Sequence, residues 1–344
     1  MDRGDAPGVT RTPIALTIAG SDSGGGAGIQ ADLKAFAALG VYGASVVTAL
    51  TAQNTQGVRA IHLAPPDIVA AQIDAVTEDF AVAAVKIGML GSAEILGVVA
   101  DGLSFPSPQP SPASGRGGAT LLPQSPSRDG RLSTPYAGEG GAIGRSEERP
   151  SGDGLWRRMR AFVVYDPVMT ASSGDALSGA GFVEAVKARL LPLVDCLTPN
   201  LAEAAALLGE GVAESEADMA RQGRALIALG PRAVLIKGGH LPGDEAVDLL
   251  MTAEAVRRFA APKIASANLH GTGCTLSSAI AAHVVLGKPL PEAVAAAKAF
   301  VRAAIEAGRG LTLGAGAGPL IQMKLGSFSA RRPCGSMGEE ASAR

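Results

Sequence analysis

The sequence predicts an α/β fold built on a central, mostly parallel sheet, and three observations carry that prediction. Short uncharged apolar runs, at residues 14–20 and 161–165, stop at a glycine or a carboxylate, as strands buried on both faces do. Most such runs lead into a stretch with helical spacing, the alternation expected of β-α units. The chain of 344 residues, 47% hydrophobic, is long enough to bury one sizeable core.

Taken in order, residues 14–20 form the first strand, and Ser21-Asp-Ser-Gly-Gly-Gly-Ala-Gly28 turns into a helix over 29–39, with Ile29, Leu33, Phe36 and Ala37 at helical spacing and Gly40 as the stop. Residues 43–50 are the next strand, 67–80 a helix, and 83–90 a strand with a charge, Lys86, embedded in it. Beyond the strand at 161–165, which ends at Asp166-Pro167, residues 194–203 run from strand into helix. Residues 233–240 are a further strand ending at Lys237-Gly-Gly-His240, 249–259 an antiparallel edge pair, and helices occupy 272–307.

Two segments fall outside this pattern. Between Gly102 and Gly154, 28 of 53 residues are Gly, Pro or Ser with no sustained period, too little apolar surface to offset ordering, so 102–154 is expected to be a disordered insert within one domain spanning 13–320. Residues 1–12 and 321–344 are expected to be flexible tails, the first carrying Asp2 and Asp5 and lacking the apolar core of a secretory signal.

A net charge of −2 supplies no basic footprint for nucleic acid or an anionic membrane surface, which leaves a small-molecule partner. The uncharged stretch 35–58 has the length of a membrane span, but Gly40, Gly43, Gln53, Asn54 and Gln56 interrupt it. Three scattered cysteines, Cys196, Cys274 and Cys334, suit neither a disulfide framework nor zinc, and point to the reducing cytoplasm.

Several turns carry candidate chemistry. Gly271-Thr272-Gly273-Cys274 bends straight into a helical pattern, so converging N–H groups and the helix's positive end would seat an anion, a nucleotide phosphate being the obvious guest. A glycine turn capping a helix is the plainer alternative. Gly26-x-Gly28-x-x-Ala31 meets the dinucleotide fingerprint only weakly, with no acidic residue about 20 positions on, and no Walker A sequence occurs. Asp166 sits at a strand's C-terminal end, where a metal or a nucleophile is commonly met. Asn200 and Glu203 are spaced as a capping box that could equally be a metal site, and Lys237 either holds phosphate or marks a turn. Asp32 and Gln53 lie near ligand loops but could be caps or solvated side chains, and Met89 is most simply core.

In order and spacing, residues 15–34, Thr48-Ala-Leu-Thr-Ala-Gln-Asn-Thr55, Lys86-Ile-Gly-Met-Leu90, Asp166-Pro-Val-Met169, Thr198-Pro-Asn-Leu-Ala-Glu203, Lys237-Gly-Gly-His240 and His270-Gly-Thr-Gly-Cys-Thr275 resemble the hydroxymethylpyrimidine/phosphomethylpyrimidine kinases of thiamin biosynthesis. The resemblance implies a ribokinase-like three-layer αβα sandwich that uses ATP and Mg2+, with a homodimer as the expected assembly. It implies a pyrimidine pocket of Gly20, Asp32, Gln53, Met89 and Val168, with Asp32 and Gln53 hydrogen-bonding the aminopyrimidine edge. It further implies an anion hole at Gly271, Thr272 and Gly273, and Cys274 as proton acceptor, its thiolate favoured by the helix N-terminus. Lys237, Asn200 and Thr272 would meet the nucleotide, and Asp166 and Glu203 the magnesium. The chain departs from the family at the insert and at Gly314-Ala-Gly-Ala-Gly-Pro319, where histidine is commoner among the glycines. The nearest alternative is a pyridoxine or pyridoxal kinase on the same fold; a non-catalytic pyrimidine-binding module is the alternative of another class.

Overall fold

The computed structural model describes residues 12–104, 161–169 and 181–323. These form one nine-stranded sheet whose strands are β1 (Ile14–Asp22), β2 (Tyr42–Asn54), β3 (Gly57–Leu63), β4 (Ala84–Ile87), β5 (Phe162–Tyr165), β6 (Cys196–Leu197), β7 (Ala233–Gly238), β8 (Glu245–Thr252) and β9 (Val256–Pro262). Their order is β3-β2-β1-β4-β5-β6-β7-β8-β9. From β2 to β7 every pairing is parallel, and the antiparallel strands β3, β8 and β9 flank that block.

The helices are α1 (Gly28–Ala38), α2 (Pro66–Asp79), α3 (Ala93–Ser104), α4 (Phe182–Ala185), α5 (Leu201–Leu208), α6 (Glu216–Ile227), α7 (Thr272–Val285) and α8 (Leu290–Gly308). Period-2 alternation along buried strands explains why both faces of the sheet are covered. Leu16, Ile18, Val85, Ile87, Val163, Tyr165, Val234 and Ile236 join one core with α2 to α6. The intervening Ala15, Ala84, Val164 and Leu235 pack under α1, α7 and α8 in a second. Helix, sheet and helix thus make the three layers expected.

Several boundaries differ from the sequence reading. Strand β3, which pairs antiparallel with β2 from Ala49↔Leu63 to Asn54↔Gly57, was not foreseen: its residues are exposed or half-buried throughout and present no apolar alternation. The expected insert begins too early, because Gly102–Ser104 is the last turn of α3; residues 105–154 lie outside the described residues, as do 1–11. The expected C-terminal tail also begins too early. The Ile321 N–H donates to Ala304 O (3.2 Å) and Gln322 Nε2 to Thr275 Oγ1 (3.0 Å), which fastens 321–322 to the α7/α8 layer; residues 324–344 lie outside the described residues. Among the described residues no helix is long and apolar enough to cross a membrane.

Candidate active site

At the C-terminal ends of the parallel strands lies a cavity of about 670 Å³. In open α/β sheets ligands bind in this position. Its walls include Gly20, Gln53, Met89, Val168, Asp166, Asn200, Glu203, Lys237 and the whole turn from Gly271 to Cys274. Residues at or just beyond the ends of β1, β2, β4, β5 and β7 and at the starts of α5 and α7 therefore converge, and they include every site residue the sequence reading named but one.

The exception is Asp32, which does not line the cavity. It sits on the inner face of α1, fully buried, and its carboxylate is spent: Oδ2 accepts from Thr17 Oγ1 (2.6 Å) and Lys86 Nζ (2.9 Å), and Oδ1 from Ser278 Oγ (2.6 Å). Lys86, also fully buried, reaches the cavity wall in its place. Burial works against its charge, but the Asp32 carboxylate more than compensates and holds the ammonium above its ordinary range. Asp32 is thus an internal counterion that joins α1, β4 and α7.

The turn expected to seat an anion is built by interlocked glycines. Gly271 has φ of 85°, and a Cβ there would stand 1.9 Å from Gly26 O; one on Gly28, itself at φ 56°, would stand 2.3 Å from Gly20 O. Only glycine permits both the left-handed backbone and this approach. The β1 loop therefore lies directly against the first turn of α7, whose N–H groups a helix leaves without intrahelical partners. Gly273 brings that turn to a charge pair, since a Cβ on it would be 3.2 Å from Lys237 Nζ and 3.4 Å from Asp166 Oδ2.

Lys237 Nζ lies 2.6 Å from Asp166 Oδ1 and 3.7 Å from Glu203 Oε2. Burial opposes its charge, but the two carboxylates hold the ammonium above its usual range. Burial pushes Glu203 up to about 7, with Lys237 opposing and Asp166 adding to the rise. Glu203 also completes a capping box: its Oε2 accepts from Asn200 N (2.7 Å), and Asn200 Oδ1 accepts from Glu203 N (2.8 Å). The pair that makes the capping box thus also lines the cavity.

Cys274, half-buried at the first turn of α7, departs from expectation. Burial pushes its thiol up to about 11, with Asp32 and Asp166 adding to the rise and Lys86 and the Gly28 N–H opposing it. The helix end does not prevail, because a thiolate here would stand beside carboxylates in a poorly solvated place.

Sequence reasoning missed Asp22 and His270, which meet beside Gln53. His270 Nε2 is 3.1 Å from Asp22 Oδ2 and 3.4 Å from Gln53 Nε2. Asp22 also accepts from the N–H groups of Gly24, Gly26 and Ala27 at 2.8, 3.0 and 2.8 Å. A carboxylate at a strand end ahead of a glycine run, and a histidine opening a glycine turn, were the available signals. Beside them the 314–319 loop packs on the β2/β3 turn, with Gly316 N donating to Thr55 Oγ1 (3.1 Å).

The phosphomethylpyrimidine kinase family model matches residues 22–111 and 152–321, leaving 112–151 between its two segments. A hydroxymethylpyrimidine/phosphomethylpyrimidine kinase from Rhizobium meliloti is 47% identical over 309 residues, 90% of this chain and 96% of its own. The crystal structure of phosphomethylpyrimidine kinase from Clostridium difficile superposes with a TM-score of 0.62 at 36% identity, covering 85% of this chain and 99% of that one. Pyridoxal kinase from Staphylococcus aureus, in complex with AMP-PCP and pyridoxal, gives a TM-score of 0.70 at 27% identity over 91% of this chain and 94% of that one.

Proposed function

Because this chain belongs to the phosphomethylpyrimidine kinase family, we propose that it transfers phosphoryl groups from ATP to 4-amino-5-hydroxymethyl-2-methylpyrimidine and then to the resulting monophosphate, giving the diphosphate used in thiamin biosynthesis. The observation that carries the reading is one cavity in which a heterocycle-sized pocket of Gly20, Gln53, Met89 and Val168 opens onto the Gly271–Cys274 seat and the Lys237–Asp166 pair.

The chain's own residues then divide the work. Met89 and Val168, which pack together, offer apolar surface to the ring, and Gln53 its edge contacts. A Cβ on Gly20 would come 3.2 Å from Met89 Sδ, so its absence leaves room there. The Gly273 and Cys274 N–H groups in the first turn of α7 and the Lys237 ammonium face the phosphoryl group, whose loose transition state needs positioning and charge more than covalent help; the Thr272 N–H is already given to Leu269 O. In the first transfer the substrate hydroxyl oxygen bonds to phosphorus, the bond from phosphorus to the ADP oxygen breaks, and the hydroxyl proton passes to Cys274. In the second the nucleophile is a phosphate oxygen, which at neutral pH carries no proton to remove.

Asp166 and Glu203 put hard carboxylate oxygens on the same wall, the donor chemistry Mg2+ accepts when nucleotide phosphates and water complete its shell. They would hold the ion, with Lys237 and Asn200 beside them, and the ion would neutralise charge on the phosphates. No cluster of three or more His, Cys, Asp or Glu able to hold a metal by itself occurs among the described residues, in keeping with a metal that arrives with its nucleotide.

A homodimer in the cytoplasm completes the reading. Leu50, Ile61 and Leu63 of the β2/β3 hairpin and Ile68 of α2 are exposed apolar side chains suited to a partner copy, and Cys196 and Cys274 are both free thiols. The test is ADP release by the purified protein on the hydroxymethylpyrimidine, its monophosphate, pyridoxal and a buffer blank. Turnover of both pyrimidines is expected; equal or better turnover of pyridoxal would replace the reading with the pyridoxal kinase alternative, and none at all with a binding module.

A further inference from the structure

The contacts around Gln53 contain a conflict whose resolution assigns a role to His270. Nε2 of that ring faces two groups at once, Asp22 Oδ2 at 3.1 Å and the Gln53 amide at 3.4 Å. A ring nitrogen either donates or accepts; it cannot do both. Asp22 decides which. Burial works against its charge, but the contacts from His270, Ala27 and Gly24 hold the carboxyl below its ordinary range. Facing a carboxylate, Nε2 must carry the proton.

An N–H on Nε2 cannot accept from an amide NH2, so the network turns the Gln53 amide with its oxygen toward His270 and its nitrogen toward Thr51. The nitrogen finds an acceptor there. Thr51 Oγ1 lies 3.2 Å from the amide and has one hydrogen, which it can donate to Ser21 O at 3.0 Å, leaving its lone pairs for the amide. Both ends of Gln53 are then engaged, the oxygen by the single Nε2–H that Asp22 and Gln53 share as a three-centre bond, shorter toward Asp22. A primary amide has two lone pairs and two hydrogens, so one acceptor and one donor remain side by side.

The ring itself is held. His270 N donates to Gly318 O (3.2 Å), and a Cβ on Gly26 would meet the ring's Cδ2 at 2.4 Å, so histidine and glycine are in close contact. We infer that His270, locked by Asp22, is a positioning residue that fixes the Gln53 amide as a paired acceptor and donor and thereby selects a heterocycle whose edge carries an adjacent donor and acceptor. An aminopyrimidine has that edge, in its amino group and neighbouring ring nitrogen. In pyridoxal the phenolic oxygen and ring nitrogen are separated by a methyl-bearing carbon, so a fixed amide cannot engage both. This inference rests on the pyrimidine kinase reading above and names what sets its substrate choice.

The test measures kcat and KM for hydroxymethylpyrimidine and pyridoxal in the parent, His270→Leu, His270→Gln, Thr51→Val, Gln53→Ala and the His270→Leu/Gln53→Ala double variant. His270→Leu is expected to raise KM for the pyrimidine about tenfold, one hydrogen bond's worth of positioning, and to lower the pyrimidine-to-pyridoxal selectivity ratio by the same factor. His270→Gln, which keeps an N–H donor, should recover most of the loss, and in the Gln53→Ala background His270→Leu should add nothing further. Should His270→Leu fail to fold, Thr51→Val, which frees the other end of the amide, must show the same fall in selectivity. A selectivity ratio unchanged in every folded variant, or additive losses in the double variant, overturns the inference while leaving the kinase reading intact. A parent inactive on the pyrimidine overturns both.

Discussion

Replacing Cys274 separates a proton acceptor from a packing residue, and the two transfers make the experiment internally controlled. The thiol's ordinary value of 9.0 is pushed up to about 11 by burial. At pH 8 that lowers the thiolate fraction from about 10% to about 0.1%. A stronger base returns part of the loss: with a Brønsted slope of about 0.5, two units of added basicity are worth about tenfold. General-base assistance begins at about a hundredfold, and a loose transition state draws on the low end. Reduced by the net tenfold, Cys274→Ala should cost about tenfold in kcat for hydroxymethylpyrimidine at pH 8, with KM nearly unchanged.

The sign of the pH dependence follows from the same value. A base whose pKa is raised gains its active form as pH climbs toward about 11, so parent kcat for the first transfer should rise about fivefold from pH 7 to 8, where the rate that does not need Cys274 still contributes, and close to tenfold per unit from about pH 8 to 9.5. Cys274→Ala should be flat over that window, and Cys274→Asp, ionised throughout, should be flat at partial activity. For the monophosphate substrate, whose nucleophilic oxygen carries no proton, parent and Cys274→Ala should agree within about twofold. The assay is steady-state ADP release at saturating ATP and magnesium. A flat parent profile with Cys274→Ala within twofold, or equal losses on both substrates, would refute the base role and leave the anion seat to carry the reaction.

Asp32→Asn should leave Lys86 buried without its counterion and cost about 3–5 kcal/mol in urea unfolding, with KM for the pyrimidine little changed in whatever folds; a rise in KM at unchanged stability would restore Asp32 as a substrate contact. Lys237→Met should strand Asp166 in the same way, lowering stability by about 3 kcal/mol and kcat by at least about a hundredfold, and calorimetry beside kinetics reads both. Gly271→Ala, at φ of 85° and 1.9 Å from Gly26 O, should lower the melting temperature and abolish turnover, whereas Gly211→Ala, outside the cavity and with nothing within 4 Å of its Cβ, serves as the control. Replacing residues 112–151, which fall between the two matched segments, with a short Gly/Ser linker should leave kcat within about twofold; a larger loss would show that they contribute contacts.

The parts of the site that could be read in advance are those that act where they stand in the chain. Glycine spacing in 271–274 and a carboxylate ending β5 announce a helix terminus and a strand end from a few neighbouring residues. Asp32 shows where local reading stops. Nothing adjacent to it says that Lys86, 54 residues on, supplies the counterion, although its place among Ile29, Ala35 and Phe36 on the buried side of α1 put it inward. The expectation that the helix end favours the Cys274 thiolate stopped short for the same reason: the helix end is local, whereas the burial that outweighs it, and the carboxylates of Asp32 and Asp166 that add to it, are brought by the fold. Asp22 and His270 lie 248 positions apart, and their pairing is a product of the fold. Strand β3 escaped because strands are recognised by a buried face, and this one has none.

The interlocked glycines bear on how one site serves two substrates. Gly26 and Gly28 come from the loop beside the pocket proposed for the pyrimidine, and Gly271 from the turn that would seat the phosphoryl group, so the two ends share backbone contacts too close for any side chain between them. Asp22 reinforces the joint, since it gathers three N–H groups of the first loop and reaches His270 on the second element. A rigid joint fixes the distance from ring to anion seat, which suits the first transfer. The second substrate is longer by one phosphate, and its acceptor oxygen must reach the same seat. If the joint keeps its length, the added phosphate would have to be met by groups beside the seat, Lys237 foremost, whose Nζ stands 3.2 Å from where a Cβ on Gly273 would be.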